Sequence, residues 1–425
     1  MPRAIGLDFG TTNSAIAVAE GGRVTLAEFA VDATWRRVFR SVLHFAPPDG
    51  SVPAPPLAGP AAIARYLEEG EGRLIQSIKS FLASKSFRGT EIDNRHYTLE
   101  DLLAFFLRAL RAAAERRLGP LGHRAVVGRP VTFASGEDDA AAALAERRLR
   151  EALGRAGFTD VTFTFEPVAA SYEYEADLTR DETVLIADFG GGTSDFCLLR
   201  VGPSHARSRA DDILSTAGEP IAGDVFDARI VRQVVAPALG QGSRYDTFDS
   251  VMEVPAWLYA HLEKWHHLSF LKTKQTMALL VEIAGGSHDK DKLAALLHLV
   301  RADLGFALFR AVERVKVALS TVDRTRLVLR DGPVALDVPV TRRDFERWIA
   351  DDVDRIDAAV DRALAAAGLE AAAVDRVFMT GGTSLVPAVH RRFTDRFGAE
   401  RVVLGDRFTS VAAGLARRAA DLFGA

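Results

Sequence analysis

Cysteine is all but missing. Cys197 is the only one in 425 residues, so no disulfide can form within the chain, which fits a reducing compartment. No apolar run approaches the roughly 20 residues that span a bilayer. The chain enters an apolar strand by about Ala4, leaving no room for a signal peptide; the expectation is a cytoplasmic protein without a membrane partner. Neither sign of charge dominates: 53 Lys and Arg stand against 57 Asp and Glu, a net charge of −4, so the basic footprint of a nucleic-acid partner is absent. Gly-x-x-x-x-Gly-Lys-Ser/Thr and Gly-x-Gly-x-x-Gly are also absent, which removes the two commonest phosphate-loop folds. What remains is an ordinary composition, 48% hydrophobic and 26% charged, in a chain too long for one core, so two lobes are expected.

Two stretches echo each other. Ile5-Gly6-Leu7-Asp8-Phe9-Gly10-Thr11-Thr12-Asn13-Ser14 returns as Leu185-Ile186-Ala187-Asp188-Phe189-Gly190-Gly191-Gly192-Thr193-Ser194-Asp195. Each is an apolar run ending in Asp, a Gly/Thr loop, and a second apolar run (Ala15–Ala19, Phe196–Val201). Apolar runs bounded by turn residues read as buried strands. Two strands joined by a tight Gly/Thr loop expose successive backbone N–H groups at the tip, a concavity suited to anions, and glycine lets phosphate approach closely. A lone Gly-Gly-Gly-Thr is more often a plain turn. The repeat, with an Asp at the end of each first strand able to hold a divalent cation through water, favours metal–nucleotide binding instead.

The rest of the chain alternates strand, loop and helix, which predicts α/β architecture with mixed sheets and duplicated lobes. The first hairpin runs to about Phe29 with Gly21-Gly22 as a turn, Pro47–Pro60 reads as a surface loop, and Leu99–Leu118 as a helix stopped by Gly119-Pro120. A strand is expected over Arg124–Pro130, a helix over Glu137–Ala156, and a strand over Val161–Phe165 leading into Glu166-Pro167. Residues 203–212 read as a loop, and Ile221–Asp227 precedes a helix. Residues 224–320 read as mostly helical with a loop at Gly285–Lys292. Strands follow at Val374–Thr380 and Arg401–Leu404, with Pro387 at a helix start and a closing helix from about Ser410. Lobe I is assigned to residues 1–170, with a peripheral subdomain at about 39–98. Lobe II takes 171–425, with a helical subdomain at about 223–308 and a last helix, about 410–425, packing back on lobe I. A cleft between such lobes would be a favoured ligand site.

These motifs, in this order, resemble the ATPase domain of the heat-shock-70 (DnaK-type) chaperone family, in particular its short YegD-like branch. The resemblance implies a two-lobed actin-like fold with duplicated ribonuclease-H-like lobes, and the cofactors ATP/ADP and Mg²⁺ with a monovalent cation, K⁺. Ile5–Ser14 and Asp188–Asp195 resemble its two phosphate loops, Gly223-Asp224-Val225-Phe226-Asp227 its Gly-Glu-Asp-Phe-Asp element, and Gly381–Pro387 its adenosine turn. Ser77–Leu82 sits where the family has its catalytic lysine, and Glu166-Pro167 where it has Glu-Pro. The implied metal residues are Asp8 and Asp188, holding Mg²⁺ through water, and Asp195 for the monovalent cation. Gly10, Thr11, Thr12, Asn13 and Gly190, Gly191, Gly192, Thr193 would cradle phosphates. Gly223, Asp224, Glu313, Lys316, Ser320, Gly381, Gly382, Thr383 and Ser384 would face the nucleoside. Lys79 would supply positive charge at the γ-phosphate and Glu166 would orient or deprotonate the attacking water, directly or through Asp188; with Thr193 these complete the catalytic set. Taken alone, Glu313 and Lys316 are by default a surface ion pair, Lys79 a solvated lysine, Glu166 a loop carboxylate, and Cys197 a packed, inert thiol. His261, His266 and His267 beside Trp257 and Trp265 lack a metal-ligand spacing and read as helix packing.

Three departures stand against the resemblance. The chain ends at Ala425 with no linker or peptide-binding β-domain, so the family's attached peptide clamp is not expected. Leu385 holds the place of an arginine that stacks on adenine, removing about 0.5–2 kcal/mol of cation–π contact. Phe408 stands where the family often has an Asp. The function expected is Mg²⁺-dependent ATP hydrolysis by a nucleotide-switched, chaperone-related unit whose protein partner the sequence does not name, with residues 224–300 as the candidate partner surface. Two alternatives remain: a small-molecule kinase of the same superfamily, for which no acceptor-activating Asp stands out, and a non-catalytic nucleotide sensor or actin-like scaffold.

Overall fold

The computed structural model describes residues 3–31, 34–47, 55–69, 71–133, 139–175, 178–205, 212–264, 268–405 and 410–424. The chain forms two compact units. One comprises Met1–Ala222, Arg355–Leu385 and Val389–Ala425; the other comprises Gly223–Asp354 with Val386–Ala388.

The two largest sheets, both in the first unit, share the same wiring. In one, β1 (Ala4–Phe9), β2 (Asn13–Glu20) and β3 (Arg23–Leu26) form an antiparallel meander, and β4 (Phe39–Arg40) pairs with the start of β2. On the other side of β1 lie β5 (Arg124–Arg129) and then β6 (Asp160–Phe165), both parallel, giving the order β6–β5–β1–β2–β3. The second sheet repeats the plan with β7 (Glu182–Phe189), β8 (Ser194–Val201), β9 (Ile213–Glu219), β10 (Arg376–Thr380) and β11 (Val402–Leu404), in the order β9–β8–β7–β10–β11. Strands β1 and β7 are buried along nearly their whole length, which is why they read as unbroken apolar runs.

Two cores sandwich the first sheet. One of its faces packs Ile5, Leu7, Ile16 and Val127 against the helices Leu99–Leu118 and Asp139–Arg155 and against Phe39, Leu43, Phe45, Ile78 and Leu82 of the 39–98 segment. The other packs Ala15, Ala17 and Val126 with Val184, Ile186, Cys197 and Leu199 of the second sheet, through the helices Glu166–Glu175 and Ser410–Phe423. The helix Leu99–Leu118 starts at a capping box between Thr98 and Asp101 and stops at Gly119, as its sequence signals predict.

The second unit is more than helical. Its helices Gly223–Ile230, Ala256–Glu263, Lys274–Gly286, Lys290–Arg301 and Gly305–Leu319 are joined by the hairpins Arg244–Asp246/Val251–Glu253 and Arg324–Asp331/Val334–Thr341. Three sequence expectations need correction, and a fourth lies mostly outside the described residues. Gly223–Asp227 forms the first turns of a helix instead of preceding one. The loop expected at Gly285–Lys292 shrinks to the short break between Gly286 and Lys290, because one helix runs on through both glycines. Within Pro47–Pro60, the described part holds a short strand, Leu57–Ala58, and Pro60 opens a helix. Of the loop expected at 203–212, residues 206–211 lie outside the described residues. Among the described residues no helix is long and apolar enough to cross a membrane.

Candidate functional site

The first loop is the turn between β1 and β2, where Asp8 stands opposite Ala15 and Phe9 opposite Ser14. Ser41, just after β4, fastens it: its hydroxyl donates to the Gly10 carbonyl at 2.7 Å, its N–H donates to the Thr12 carbonyl at 2.9 Å, and its oxygen lies 2.9 Å from that of Ser14. The turn is so tight that a Cβ on Gly10 would lie 2.1 Å from the Asn13 carbonyl oxygen.

The second loop repeats this geometry between β7 and β8, with Asp188 opposite Asp195 and the Gly190 N–H donating to the Thr193 carbonyl at 2.8 Å. Gly190 is therefore committed to closing the loop. The Thr193 hydroxyl donates to Asp195 Oδ2 at 2.8 Å, and the Thr132 N–H, beyond the end of β5, donates to Asp195 Oδ1 at 3.0 Å. Strand β10 runs parallel to β7 and delivers Gly381 to the loop base, at a φ of +85 and with its Cβ position 2.0 Å from the Phe189 carbonyl oxygen. Left-handed backbone and lack of space both demand glycine there. The Thr383 hydroxyl reaches the Gly190 carbonyl at 3.5 Å, and the Ser384 hydroxyl turns back on the Gly381 carbonyl at 2.6 Å. Leu385 ends the short helix Gly382–Leu385.

Lys79 arrives on a different arm. The strand Arg73–Gln76 ends at Ser77, in the left-handed region at φ 51, and a short 3₁₀ turn, Ile78–Phe81, follows. Lys79 Nζ donates to Glu166 Oε1 at 2.6 Å, with both side chains at most a tenth exposed. Glu166 opens the helix Glu166–Glu175 directly after β6, with Pro167 in the first turn, where its fixed φ is already helical. Neither the solvated lysine nor the loop carboxylate that these residues suggest in isolation is found.

Charge at this place is one-sided. Burial pushes the Asp8 carboxyl up to about 7, Glu166 adding to the rise and Lys79 opposing it. Asp195 is pushed up to about 7 by burial and by Glu166, against the pull of the Thr132 N–H, the Thr193 hydroxyl and Lys79. Asp188 lies well above the carboxylate range through burial and the charges of Glu166, Asp8 and Asp195. Burial works against the charged form of Lys79, yet Glu166 and Asp8 hold its ammonium above the usual lysine value. Among the described residues no group of three or more His, Cys, Asp or Glu side chains is arranged to ligate a metal directly. Paired carboxylates with this raised affinity for protons suit a cation that keeps its water shell, as magnesium does.

The second unit brings together its own set. Lys316, on the helix Gly305–Leu319, donates to Asp227 Oδ2 at 2.7 Å and to the Gly223 carbonyl at 3.0 Å. Burial pushes Asp227 up to about 6, opposed by Lys316 and reinforced by Asp224 and Glu313. Lys316 thus pairs with Asp227, both side chains less than a fifth exposed. The Ser320 hydroxyl lies 3.5 Å from the Lys316 carbonyl at the end of the same helix. Phe226 packs edge-on against Phe345, ring centroids 6.3 Å apart. His261 stacks edge-on against Trp257 at 5.8 Å, and Cys197 is fully buried; Trp265, His266, His267 and Phe408 lie outside the described residues.

A family model for the Hsp70 protein matches residues 74–266 and 305–425. The chain belongs to the Hsp70 family. That family has the actin-like ATPase fold, which accounts for the duplicated sheets. Among curated relatives, heat shock 70 kDa protein 6, chloroplastic, of Arabidopsis thaliana is 27% identical over 99% of this chain and 52% of its own length. Chaperone protein DnaK of Thermus thermophilus is 29% identical over 94% of this chain and 58% of its own. The chain spans about half the length of these relatives. In this Hsp70-family chain, sequence reasoning missed Ser41 at the first loop and the Thr132 N–H at the second, and gave no holding role to Ser14 or to Asp227, which pairs with Lys316. For Asp227 the signal was present, since it closes the quoted Gly223–Asp227 motif. For Thr132, whose backbone does the work, there was none.

Proposed function

We propose that this chain binds ATP with Mg²⁺ and hydrolyses it, serving as a chaperone-related, nucleotide-switched unit. The observation that carries this is the convergence of Asp8, Asp188, Asp195 and the Lys79–Glu166 pair at the bases of two matching Gly/Thr loops. Buried acids this short of positive charge fit Mg²⁺, which Asp8 and Asp188 would hold through water; when bound it neutralises phosphate charge. Gly10, Thr11, Thr12 and Asn13 on one loop, and Gly191, Gly192 and Thr193 on the other, would cradle phosphate oxygens, while Gly190 keeps the second loop shut. Asp195, with both oxygens already accepting hydrogen bonds, fixes Thr193 and would offer its remaining lone pairs to K⁺. Lys79 has three donors and spends one on Glu166, so it can hold a γ-phosphate oxygen without leaving the carboxylate. Glu166, held in place by Lys79, would accept a proton from, or orient, the attacking water.

In the first unit Gly381, Gly382, Thr383 and Ser384 would face the nucleoside, with Leu385 making base selectivity looser than an arginine would; in the second unit Gly223, Asp224, Glu313, Lys316 and Ser320 are proposed as nucleotide-binding residues. A protein partner would read the nucleotide state through its different affinity for the two states. The test is single-turnover hydrolysis of Mg·ATP by the wild type and Lys79→Ala, with ADP binding measured on both. Turnover by the wild type, slowed ~10²–10³-fold in a variant that still binds, is the expected result. Binding without turnover in either would leave a sensor or scaffold, turnover only with an added sugar would make the chain a kinase, and failure of both to bind would overturn the phosphate-loop assignment.

A further inference from the structure

The helix Asp139–Arg155 turns Ala141, Ala145, Leu149, Ala152 and Leu153 into the core, and Arg148 sits in that stripe, only 8% exposed. A buried guanidinium is costly unless its N–H groups find acceptors. Those of Arg148 do. Nη1 donates to the carbonyls of Phe81 at 3.3 Å, Leu82 at 3.1 Å and Ser84 at 3.0 Å, and Nη2 donates to that of Phe87 at 3.0 Å. Nε lies 3.2 Å from Glu100 Oε1, in the first turn of the helix Leu99–Leu118, so the charge is neutralised from behind.

All four carbonyls belong to the segment that follows Lys79. The 3₁₀ turn carrying Lys79 is therefore held at both ends. On the near side, the strand Arg73–Gln76 pairs with Val42–Phe45 and enters through the left-handed Ser77. On the far side, Arg148 gathers the carbonyls where the turn ends, and the Phe81 and Phe87 rings pack against each other, centroids 4.4 Å apart. The fork geometry matters: lysine at 148 would carry three donors on one atom and could not reach carbonyls spread over seven residues while also facing Glu100.

We infer that Arg148 is a positioning residue for Lys79, fixing the backbone from which the ammonium reaches Glu166 and the phosphate. This rests on Lys79 being the hydrolytic lysine. A misplacement of about 1 Å in such a group can cost ~10²-fold in rate.

The test compares wild type, Arg148→Met, Lys79→Ala and the double variant in single-turnover hydrolysis and Mg·ADP binding. Arg148→Met should slow turnover ~10–100-fold while ADP affinity stays within ~threefold. In the Lys79→Ala background the same change should slow the residual rate by less than ~twofold, since Arg148 acts only through Lys79. An equal slowing in both backgrounds, or loss of ADP binding in step with rate, would make Arg148 a general core residue and overturn the inference. If the wild type itself shows no turnover, the hydrolysis reading fails, and hydrogen exchange still decides the positioning. Faster exchange of Arg148→Met confined to the amides of residues 78–87 supports it, and faster exchange throughout the unit overturns it. Should Arg148→Met not fold, Arg148→Lys, which keeps the charge and loses the fork, takes its place in each comparison.

Discussion

The two halves of the Lys79–Glu166 pair are not equivalent, and the difference can be measured without nucleotide. Each of Asp8, Asp188 and Asp195 is pushed toward its protonated form by burial and by Glu166, and pulled back by Lys79. Lys79→Met keeps the stem but deletes the cation, leaving Glu166 and three aspartates to repel one another. Removing one partner of a buried pair costs about 3–5 kcal/mol, and the acidic surroundings place this variant at the upper end. Glu166→Gln removes a negative charge from the same surroundings and keeps an oxygen that can accept from Lys79 Nζ. Its loss, a charge-assisted bond weakened to an ordinary one, is about 1 kcal/mol, and relief of the aspartates offsets part of that. Acidity should narrow the contrast. These aspartates have folded-state values above their unfolded ones, so the folded state keeps protons that the unfolded chain has released, and stability falls as pH rises between the two values. Without Lys79 the folded values climb further. Going from about pH 7.5 to about pH 5.5 should then return ~2.7 kcal/mol to Lys79→Met for each extra proton held, at 1.36 kcal/mol per unit. Urea unfolding without nucleotide or magnesium, at both pH values, measures each quantity. A Glu166→Gln penalty as large as that of Lys79→Met, or a Lys79→Met penalty that ignores pH, would refute the idea that an acidic excess governs the site.

Asp195→Asn should flatten the pH dependence of unfolding. The wild-type carboxyl sits near 7 when folded against 3.8 as its reference, so it removes up to ~1.4 kcal/mol per pH unit across that window as pH rises; an unchanged slope in the variant counts against its raised affinity for protons. Gly381→Ala combines left-handed backbone with a Cβ 2.0 Å from the Phe189 carbonyl oxygen and should cost about 2–4 kcal/mol. Gly21→Ala, at φ +58 with open space around it, should cost about 1 kcal/mol; equal shifts in thermal midpoint would remove the close approach as the cause. Arg229 reaches the nearly inaccessible Asp352 through two bonds of 2.7 and 2.8 Å. Arg229→Met should cost about 3–5 kcal/mol, with faster amide exchange confined to residues 223–354; exchange spreading through the first unit would contradict the division into two units.

Legibility in the sequence followed how local the cause of each element was. Strands β1, β2, β7 and β8 were readable because burial on both faces leaves an unbroken apolar run, and the repeated Asp-Phe-Gly step marked where each hairpin turns. The helix Leu99–Leu118 carries its own start and stop signals in Thr98, Asp101 and Gly119. The hairpins Arg244–Glu253 and Arg324–Thr341 were not read from the sequence, for different reasons. Val251, Met252 and Glu253 are all exposed, so the first gives no period to detect. The second does alternate, with Leu327 and Leu329 on one strand and Val334, Leu336 and Val340 on the other buried between more exposed neighbours; there the signal was present and was passed over. Gly285 and Gly286 read as a breaker, yet the helix Lys274–Gly286 ends only after them, since one or two glycines cost a helix less than tertiary packing returns.

The site divides along the same line. Of the residues proposed to meet a ligand, Asp8, Asp188 and the Gly/Thr loops could be named from residue types in a fixed, repeated order, whereas Lys79 and Glu166 were named only through the family resemblance. Residues that hold those in place were not legible, because many side chains or a backbone atom can do that work. The Thr132 N–H on Asp195 leaves no trace in residue identity, and Ser41 is one serine among many. Arg148 differs from both. It occupies the apolar stripe of an otherwise regular amphipathic helix, between Ala145 and Ala152, and a charge at a core-facing position needs a partner set to justify its burial. The helical period places Arg148 on the core-facing stripe, a signal the sequence carried but the reading did not use, and the four carbonyls that resolve it lie some 60 residues away in sequence, from Phe81 to Phe87. A break in a local rule can be read from sequence, whereas what compensates for it is set by tertiary contact. Violations of this kind are therefore where a structure adds most to what residue order already implies.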